Sequence, residues 1–430
     1  MAEKRQVSRR ELLKRAGGAA AGAGIAVGFP AIIPARVLGA DGIPAPSERI
    51  RLGFIGVKNR GMQNLAPLMK YAVAVCDVDK NVLAAAKAAV EKANGQCAAY
   101  TDYRKLLEAK DIDAVVISTP DHWHALQTID ACAAGKDVFC EKPLTLTIHE
   151  GQAMIKAARK YKRIVQTGSQ QRSDDKFRLA CELVRSGRLG KIHLVREGIQ
   201  RVNFKEPPRP NTEPPAELDY DMWLGPAPYR PYNQNHVHYN FRFFWDFSGG
   251  QQTNFGAHHL DIAQWGLGMD ESGPVSAQGT AEYDPEKRFE VPSMYEVEYT
   301  YANGVKLLCG MAQRGGVTFE GEKGTIFVTR GKIESTPPEI LMEPLLDSDV
   351  HLYESKNHYQ NWLDCIKSRK LPICDVAIGH RSATVCHLGN IAIRSGRKVQ
   401  WEPKAEKVIG DKEQAKMTRY EYRSPWKLSV

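Results

Sequence analysis

Arg49-Ile50-Arg51-Leu52-Gly53-Phe54-Ile55 runs directly into Gly56-Val57-Lys58-Asn59-Arg60-Gly61. The first seven residues read as a strand, the glycine-bounded segment as a tight turn, and a helix candidate follows. The same alternation continues through strand Val73–Cys76 ending at Asp77, helix Val82–Lys92, strand Ala114–Ser118 and helix Ala125–Ala134. Strand Val138–Cys140, helix Ile148–Tyr161 and strand Ile164–Thr167 complete it. Strands separated by helices of ten or more residues pair in parallel through crossovers. Residues 45–170 are therefore expected to form an α/β domain with a doubly wound parallel sheet.

Such sheets hold ligands outside the carboxyl ends of their strands. A turn that seats a dinucleotide's pyrophosphate follows G-x-G-x-x-G, because backbone N–H groups must approach phosphate at a helix start. Here the three positions are Gly56, Lys58 and Gly61, so the middle glycine is a lysine. A Cβ there crowds the pyrophosphate, whereas an ammonium neutralises it; the second effect is the one expected. Asp77 lies 21 residues after Gly56, where a carboxylate meets the adenosine ribose 2′-hydroxyl and repels a 2′-phosphate. NAD is therefore expected over NADP, held by Gly56, Lys58, Asn59, Arg60, Gly61 and Asp77. The competing reading is a structural glycine turn with a chance aspartate.

Two further segments reach the same sheet edge. Ser118-Thr119-Pro120-Asp121-His122-Trp123-His124 follows the Ala114–Ser118 strand and places Thr119, Pro120, His122 and His124 beside the cofactor. The two histidines alternate in direction, so at most one is expected to face it. Glu141-Lys142-Pro143 closes the apolar run Asp137-Val138-Phe139-Cys140. The proline fixes the exit of the chain and removes a donor, so Lys142 is held on a stiff turn. Apolar walls lower a lysine's pKa toward working pH, which suits a proton relay. A surface lysine before a turn proline is the plainer alternative.

Downstream, Ile192–Gln200 reads as a strand, and 203–247 is rich in proline and aromatics. From about 275 to 335 alternating strands recur: Tyr295–Tyr301, Asn303-Gly304, Val305–Cys309, then Phe319–Val328 with Gly321 and Gly324 between. Asn-Gly between alternating runs signals a hairpin, so a second, α+β domain with an open antiparallel sheet is expected over 171–345. Helices over 346–405 are expected to pack back on the first domain, leaving 406–430 as a tail.

Gly249 to Asp261 forms the densest polar segment of that half. On a continuous helix Asn254, His258 and Asp261 share one face, and a histidine so placed suits proton exchange with a substrate hydroxyl. A capped helix start with a buried histidine, or a metal site drawing on His236, His238, His258, His259 and Asp261, are the alternatives; no spacing fixes a ligand set, and no metal is expected. Residues 229–247 contain eight aromatics. Such rings stack on sugar faces or fill a core, and Tyr239, Arg242 and Trp245 are expected to join Lys142, His258 and His259 around the substrate.

The chain has 430 residues and a formal charge of +9. Residues 1–40 hold seven Lys/Arg against Glu3 and Glu11, a net +5, which leaves only +4 on the other 390. No basic face for nucleic acid follows. Nine cysteines without CxxC spacing point to neither a zinc ribbon nor a disulfide framework. Ser8-Arg9-Arg10-Glu11-Leu12-Leu13-Lys14, followed by an uncharged Gly/Ala-rich stretch, resembles a twin-arginine signal. Export to the periplasm is expected, with cleavage near Ala40 or retention as an anchor. No later run reaches the ~18 apolar residues of a membrane span.

The G-x-x-x-x-G turn with Asp77, the Ser118–His124 segment, Glu141-Lys142-Pro143 and the Gly249–His258 region together resemble the glucose-fructose oxidoreductase / inositol dehydrogenase / MocA (Gfo/Idh/MocA) family over roughly residues 48–400. The resemblance implies an NAD-binding Rossmann domain, an open-sheet substrate domain that often forms the oligomer interface, and hence a homo-oligomer. It implies Lys142 as the catalytic lysine and His258 as the acid/base histidine, with Asn254 where the family commonly has Asp. An NAD-dependent oxidoreductase of sugars, glycosides or cyclitols is expected, its cofactor tightly bound and recycled. A redox-neutral glycosidase working by oxidation, elimination and re-reduction is the close alternative. A metal-dependent hydrolase would lose activity to a chelator, and a non-catalytic sugar-binding relative would tolerate Lys142→Ala.

Overall fold

A computed structural model describes residues 50–430; the signal-like segment and residues 45–49 of the expected first domain lie outside them. Leu52–Ile55 (β1), Ala72–Cys76 (β2), Ala98–Tyr100 (β3), Ala114–Ile117 (β4), Asp137–Cys140 (β5) and Val165–Thr167 (β6) form one sheet in the order β3-β2-β1-β4-β5-β6. Every pairing in it is parallel. β1, β4 and β5 are buried along their whole length, which is why they read as continuous apolar runs. The strand order reverses between β1 and β4, so a crevice opens above their carboxyl ends.

A second sheet of nine strands comprises Ile192–Gly198 (β7), Ser276–Glu282 (β8), Met294–Thr300 (β9), Lys306–Gly310 (β10), Gly316–Gly321 (β11), Gly324–Thr329 (β12), Lys332–Thr336 (β13), Val399–Glu402 (β14) and Lys407–Val408 (β15). Its order is β13-β12-β11-β7-β10-β9-β8-β14-β15. The β9–β10 hairpin turns at Asn303-Gly304, where Gly304 has φ 85° and its N–H donates to the Tyr301 carbonyl at 2.9 Å. The sheet is mixed, not purely antiparallel, because β7 and β10 pair in parallel. β7 enters from the first domain before the meander begins, so it slots between β10 and β11 rather than joining an edge.

Three later segments fasten the domains together. In the helix His358–Ser368, Trp362 packs edge-on against Phe139 of β5 at 5.6 Å. The helix Val376–Ser395 packs on the helix Ile148–Lys160 and on β8. Residues beyond 417 run back along the first domain, with Trp426 edge-on to Trp123 at 4.8 Å and the Tyr422 hydroxyl donating to Glu150 Oε1 at 2.6 Å.

The proline- and aromatic-rich segment wraps the crevice. Val78 O accepts from Asp219 N, and Glu217 O from Lys80 N, both just after β2. Phe243, Phe244 and Phe247 are buried in its own small core. No helix among the described residues is long and apolar enough to cross a membrane.

Candidate active site

At the end of β1 the chain turns through Gly56 at φ 77°. A Cβ on Gly56 would lie 2.9 Å from the backbone of Ser118 and Thr119, so the turns after β1 and β4 touch only because this residue is glycine. A Cβ on Gly61 would stand 2.0 Å from the Gly56 carbonyl oxygen. Asn59 gives the helix Arg60–Leu68 no side-chain cap, and the Gly61 N–H donates to the Lys58 carbonyl at 2.8 Å. The tight turn expected to cradle the phosphate forms with Lys58 at its middle position. Lys58 also lines the cleft that starts here, with its Nζ 4.0 Å from Asp79 Oδ2. Asp77 accepts from Val57 N at 2.9 Å and Asp79 N at 3.0 Å, and burial raises its carboxyl above the usual range.

From this turn a cleft of about 320 Å³ runs to Lys142 and Asn254. Gly56, Lys58, Asn59, Arg60, Asp77, Thr119, Pro120, His124, Glu141, Tyr239 and Arg242 line it as well. Glu141 points back under the cradle, accepting from Arg60 Nε at 2.7 Å, Asn64 Nδ2 at 3.0 Å and its own neighbour Lys142 N at 3.2 Å. It therefore positions the tripeptide.

Lys142 reaches across to the second domain. Its Nζ donates to the Asn254 carbonyl at 2.7 Å and to Asn254 Oδ1 at 3.1 Å. Burial lowers its pKa to about 8, against the pull of Glu141 and with the help of Arg242. Asn254 Oδ1 also accepts from the Arg242 guanidinium at 3.2 Å, and its amide nitrogen donates to Gln251 Oε1 at 2.8 Å. The amide orientation is thereby fixed.

His258 is 4% exposed, its Nδ1 buried without a hydrogen-bond partner. Burial, then Lys142 and Arg330, hold its pKa well below the ordinary value, so the ring is neutral at physiological pH. Its own carbonyl accepts from Gln171 Nε2.

His124 carries a charge by geometry. Its Nδ1 lies 2.8 Å from the Pro143 carbonyl and its Nε2 2.9 Å from the Thr119 carbonyl. Carbonyl oxygens only accept, so both ring nitrogens must donate. Burial opposes the charge, but Cys140, Asp121 and the Pro143 carbonyl together raise the pKa to about 10. Sequence reasoning missed Asp121, a buried carboxylate on the cleft wall that accepts from Ser248 Oγ. An acid in the first helical turn after Pro120 was the available signal. It also missed Arg330, whose charge reaches His258 from the turn after β12.

Other expected residues stand elsewhere. His122 packs among Trp123, Trp223 and Phe247 with its Nε2 against the Trp223 carbonyl, because its side of the helix Asp121–Ala133 faces the aromatic segment. Trp245 is bound by Glu290 at both its backbone and indole N–H. His259 Nδ1 meets the Gly198 carbonyl of β7. Asn254, His258 and Asp261 do not share one helix: it breaks at Phe255 between Gly250–Asn254 and Gly256–Gly266. Asp261 instead pairs with buried Arg172. The suggested metal ligands are scattered, His236 lying against Phe244 and His238 near Asp79. Among the described residues no group of three His, Cys, Asp or Glu is placed to hold a metal.

Residues 50–169 match "Oxidoreductase family, NAD-binding Rossmann fold", and residues 205–428 match "Oxidoreductase family, C-terminal alpha/beta domain", both of the Gfo/Idh/MocA group. This chain belongs to the Gfo/Idh/MocA oxidoreductase family. Its first domain binds NAD. Among curated proteins it is 32% identical over 224 residues to an alpha-N-acetylgalactosaminidase of Shewanella oneidensis, covering 46% of this chain and 49% of that protein. It is 34% identical over 152 residues to an inositol 2-dehydrogenase of Salmonella paratyphi B, covering 34% and 44%. The matches thus span about half the length of these relatives. The WlbA dehydrogenase of Bordetella pertussis, solved with NADH and UDP-GlcNAcA, has the same fold: TM-score 0.62 at 21% identity over 83% of this chain and 99% of that one.

Proposed function

We propose that this Gfo/Idh/MocA protein is an NAD-dependent oxidoreductase acting on a hydroxyl of a sugar, glycoside or cyclitol, with a captive nucleotide restored within each turnover. The observation that carries the reading is Lys142 Nζ, bonded across the cleft to Asn254 in the domain that also supplies His258. The nucleotide would be held by the Gly56–Gly61 turn and Asp77, with Thr119, Pro120, His124 and Lys142 along the remainder of the cleft. Once bound, it supplies a reversible hydride acceptor. The neutral His258 ring accepts the substrate's hydroxyl proton. Lys142, held as an ammonium below pH 8, donates from Nζ to the oxygen that becomes the carbonyl and stabilises its developing charge. Glu141 and Asn254 hold that ammonium between the domains.

The captive nucleotide follows from the proposed export. An exported protein meets little free NAD, and the twin-arginine route carries folded proteins with cofactors already loaded, so a net oxidation would stop after one turnover. Two redox-neutral outcomes fit: oxidising one sugar while reducing another, or cleaving a glycoside through transient oxidation, elimination and re-reduction. The half-length likeness to an alpha-N-acetylgalactosaminidase favours keeping the second in play.

Purified protein is expected to release nicotinamide nucleotide into acid. Incubation with a panel of sugars and glycosides is expected to perturb nicotinamide absorbance with at least one of them. Reducing sugar released in step marks the glycosidase. No nucleotide in the acid extract refutes the captive cofactor, and an unmoved spectrum across the panel refutes the oxidoreductase.

A further inference from the structure

The substrate end of the cleft carries more positive charge than its own acids balance. Lys142 Nζ and the Arg242 guanidinium converge on a single neutral oxygen, Asn254 Oδ1, at 3.1 and 3.2 Å. Two cations brought that close repel strongly in a partly dry site. Fully buried Arg172 sits against Asp261 and Asp270, whereas buried Lys136 is met by the Ala109 and Ile112 carbonyls. The Lys142 ammonium and the Arg242 guanidinium are met instead by neutral oxygens, those of Asn254 and the Tyr239 carbonyl. The two acids nearby are already engaged: Glu141 by Arg60, and Asp121 by Ser248 with the charged His124 beside it.

Arg242 is also held in place. Its Nε donates to the Tyr239 carbonyl at 2.8 Å, and its guanidinium lies 4.0 Å above the Tyr239 ring. The Tyr239 hydroxyl is anchored in turn by Asn203 Nδ2. A stacked guanidinium on a cleft wall presents its remaining N–H groups in a fixed fork that matches a carboxylate. Beyond it, His258 Nδ1 is buried with no partner, so a second polar group at this end is unsatisfied by the protein.

We propose that the substrate is an acidic sugar of the hexuronate type, its carboxylate received by Arg242 with Lys142 as flanking charge. An amide at 254 is then the fitting residue. A carboxylate there would neutralise both cations internally and repel the ligand's own. The inference names the substrate class for the oxidoreductase reading above and rests on it.

The test measures two things on the full-length, nucleotide-loaded protein. Binding of methyl glucuronoside and methyl galacturonoside is compared by calorimetry with that of the matching neutral glucoside and galactoside, while nicotinamide absorbance is followed separately. Acidic sugars are expected to bind about tenfold or more tightly than their neutral partners and to lose that margin as salt rises. Arg242→Gln and Asn254→Asp should each shrink the acidic sugar's margin over its neutral partner by about tenfold or more. A circular-dichroism melt matching the parent keeps a folding defect from standing in for this result.

Equal binding of acidic and neutral sugars, equal losses for both in Arg242→Gln, or binding of neither would overturn the acidic-sugar assignment. So would tighter binding of the corresponding sugar 6-phosphates than of the uronates. Preferential uronate binding with an unmoved nicotinamide spectrum would leave the substrate class standing and sink the oxidoreductase reading. Turnover of neutral sugars alone would do the reverse.

Discussion

Lys142 owes its chemistry to where the chain stops being a strand. β5 delivers it at the sheet's carboxyl edge, Glu141 ties its backbone to the cradle helix, and burial brings its pKa to about 8. His258 stays neutral far below that pH, held there by burial and by the same lysine. The two groups therefore titrate on opposite sides of the working range. For oxidation of a hydroxyl, His258 must be neutral and Lys142 charged, so kcat/KM should be level near neutrality and fall above about pH 8. Lys142→Ala should lower kcat by roughly 10²- to 10⁴-fold. In Lys142→Arg the alkaline decline should disappear, since a guanidinium does not titrate there. A decline that persists unchanged in Lys142→Arg would assign that limb to another group.

At the scale of elements, what could be read from the chain depended on how locally each element is specified. β1, β4 and β5 announce themselves because both faces are buried, and the Asn303-Gly304 hairpin because its turn demands positive φ. β3 is Ala-Ala-Tyr with two exposed residues and carries no apolar run to detect. The parallel pairing of β7 with β10 joins residues more than a hundred apart, which no local pattern encodes. The site divides the same way. The Gly56–Gly61 turn and Glu141-Lys142-Pro143 are local and legible, whereas Arg330 comes near Phe255 and His258 only through tertiary packing within the second domain. Asp261 shows the cost of that limit, since its helical spacing to His258 suggested chemistry. It is instead fully buried beside Arg172, which also reaches Asp270 and lies 5.0 Å from the Trp265 ring. Arg172 follows β6 and ties the first domain to the helix that carries His258. Arg172→Ala leaves Asp261 buried without its cation and should destabilise the fold by about 3–5 kcal/mol in urea unfolding. A loss under about 1 kcal/mol would show that water reaches Asp261 instead.

For the molecule as a whole, the second sheet contains a group that makes stability depend on pH in an unusual sense. Glu197 sits one residue before the end of β7, 0% exposed, with neither carboxylate oxygen hydrogen-bonded. Cys309 stands beside it on the neighbouring β10, but that thiol's proton goes to Gln252 Oε1 at 3.2 Å. Burial pushes the Glu197 carboxyl up from 4.5 to about 8, against a smaller pull from Cys309. Below pH 4.5 both the folded and unfolded chains hold this proton, and Glu197 adds no pH dependence. Between 4.5 and 8 the folded chain keeps a proton that the unfolded chain has released, so rising pH favours unfolding. Above 8 the penalty levels off, at a magnitude on the order of a few kcal/mol. Glu197→Gln keeps the shape and cannot ionise. Urea unfolding of the parent and the variant across pH 5 to 9 should therefore diverge, with the variant gaining on the parent as pH rises, whatever constant offset the buried amide adds. Two curves that stay parallel over that range would mean Glu197 finds a partner or a water that keeps its carboxylate charged. Because β7 lies between β10 and β11 and leads towards Gly198, whose carbonyl meets His259, the same pH rise should loosen the strand behind the active-site helix. Alkaline loss of activity at about pH 8 thus has two sources to separate. The Lys142 limb is reversible and follows kcat/KM in the intact fold, whereas the Glu197 effect appears as a falling unfolding midpoint and is abolished in Glu197→Gln.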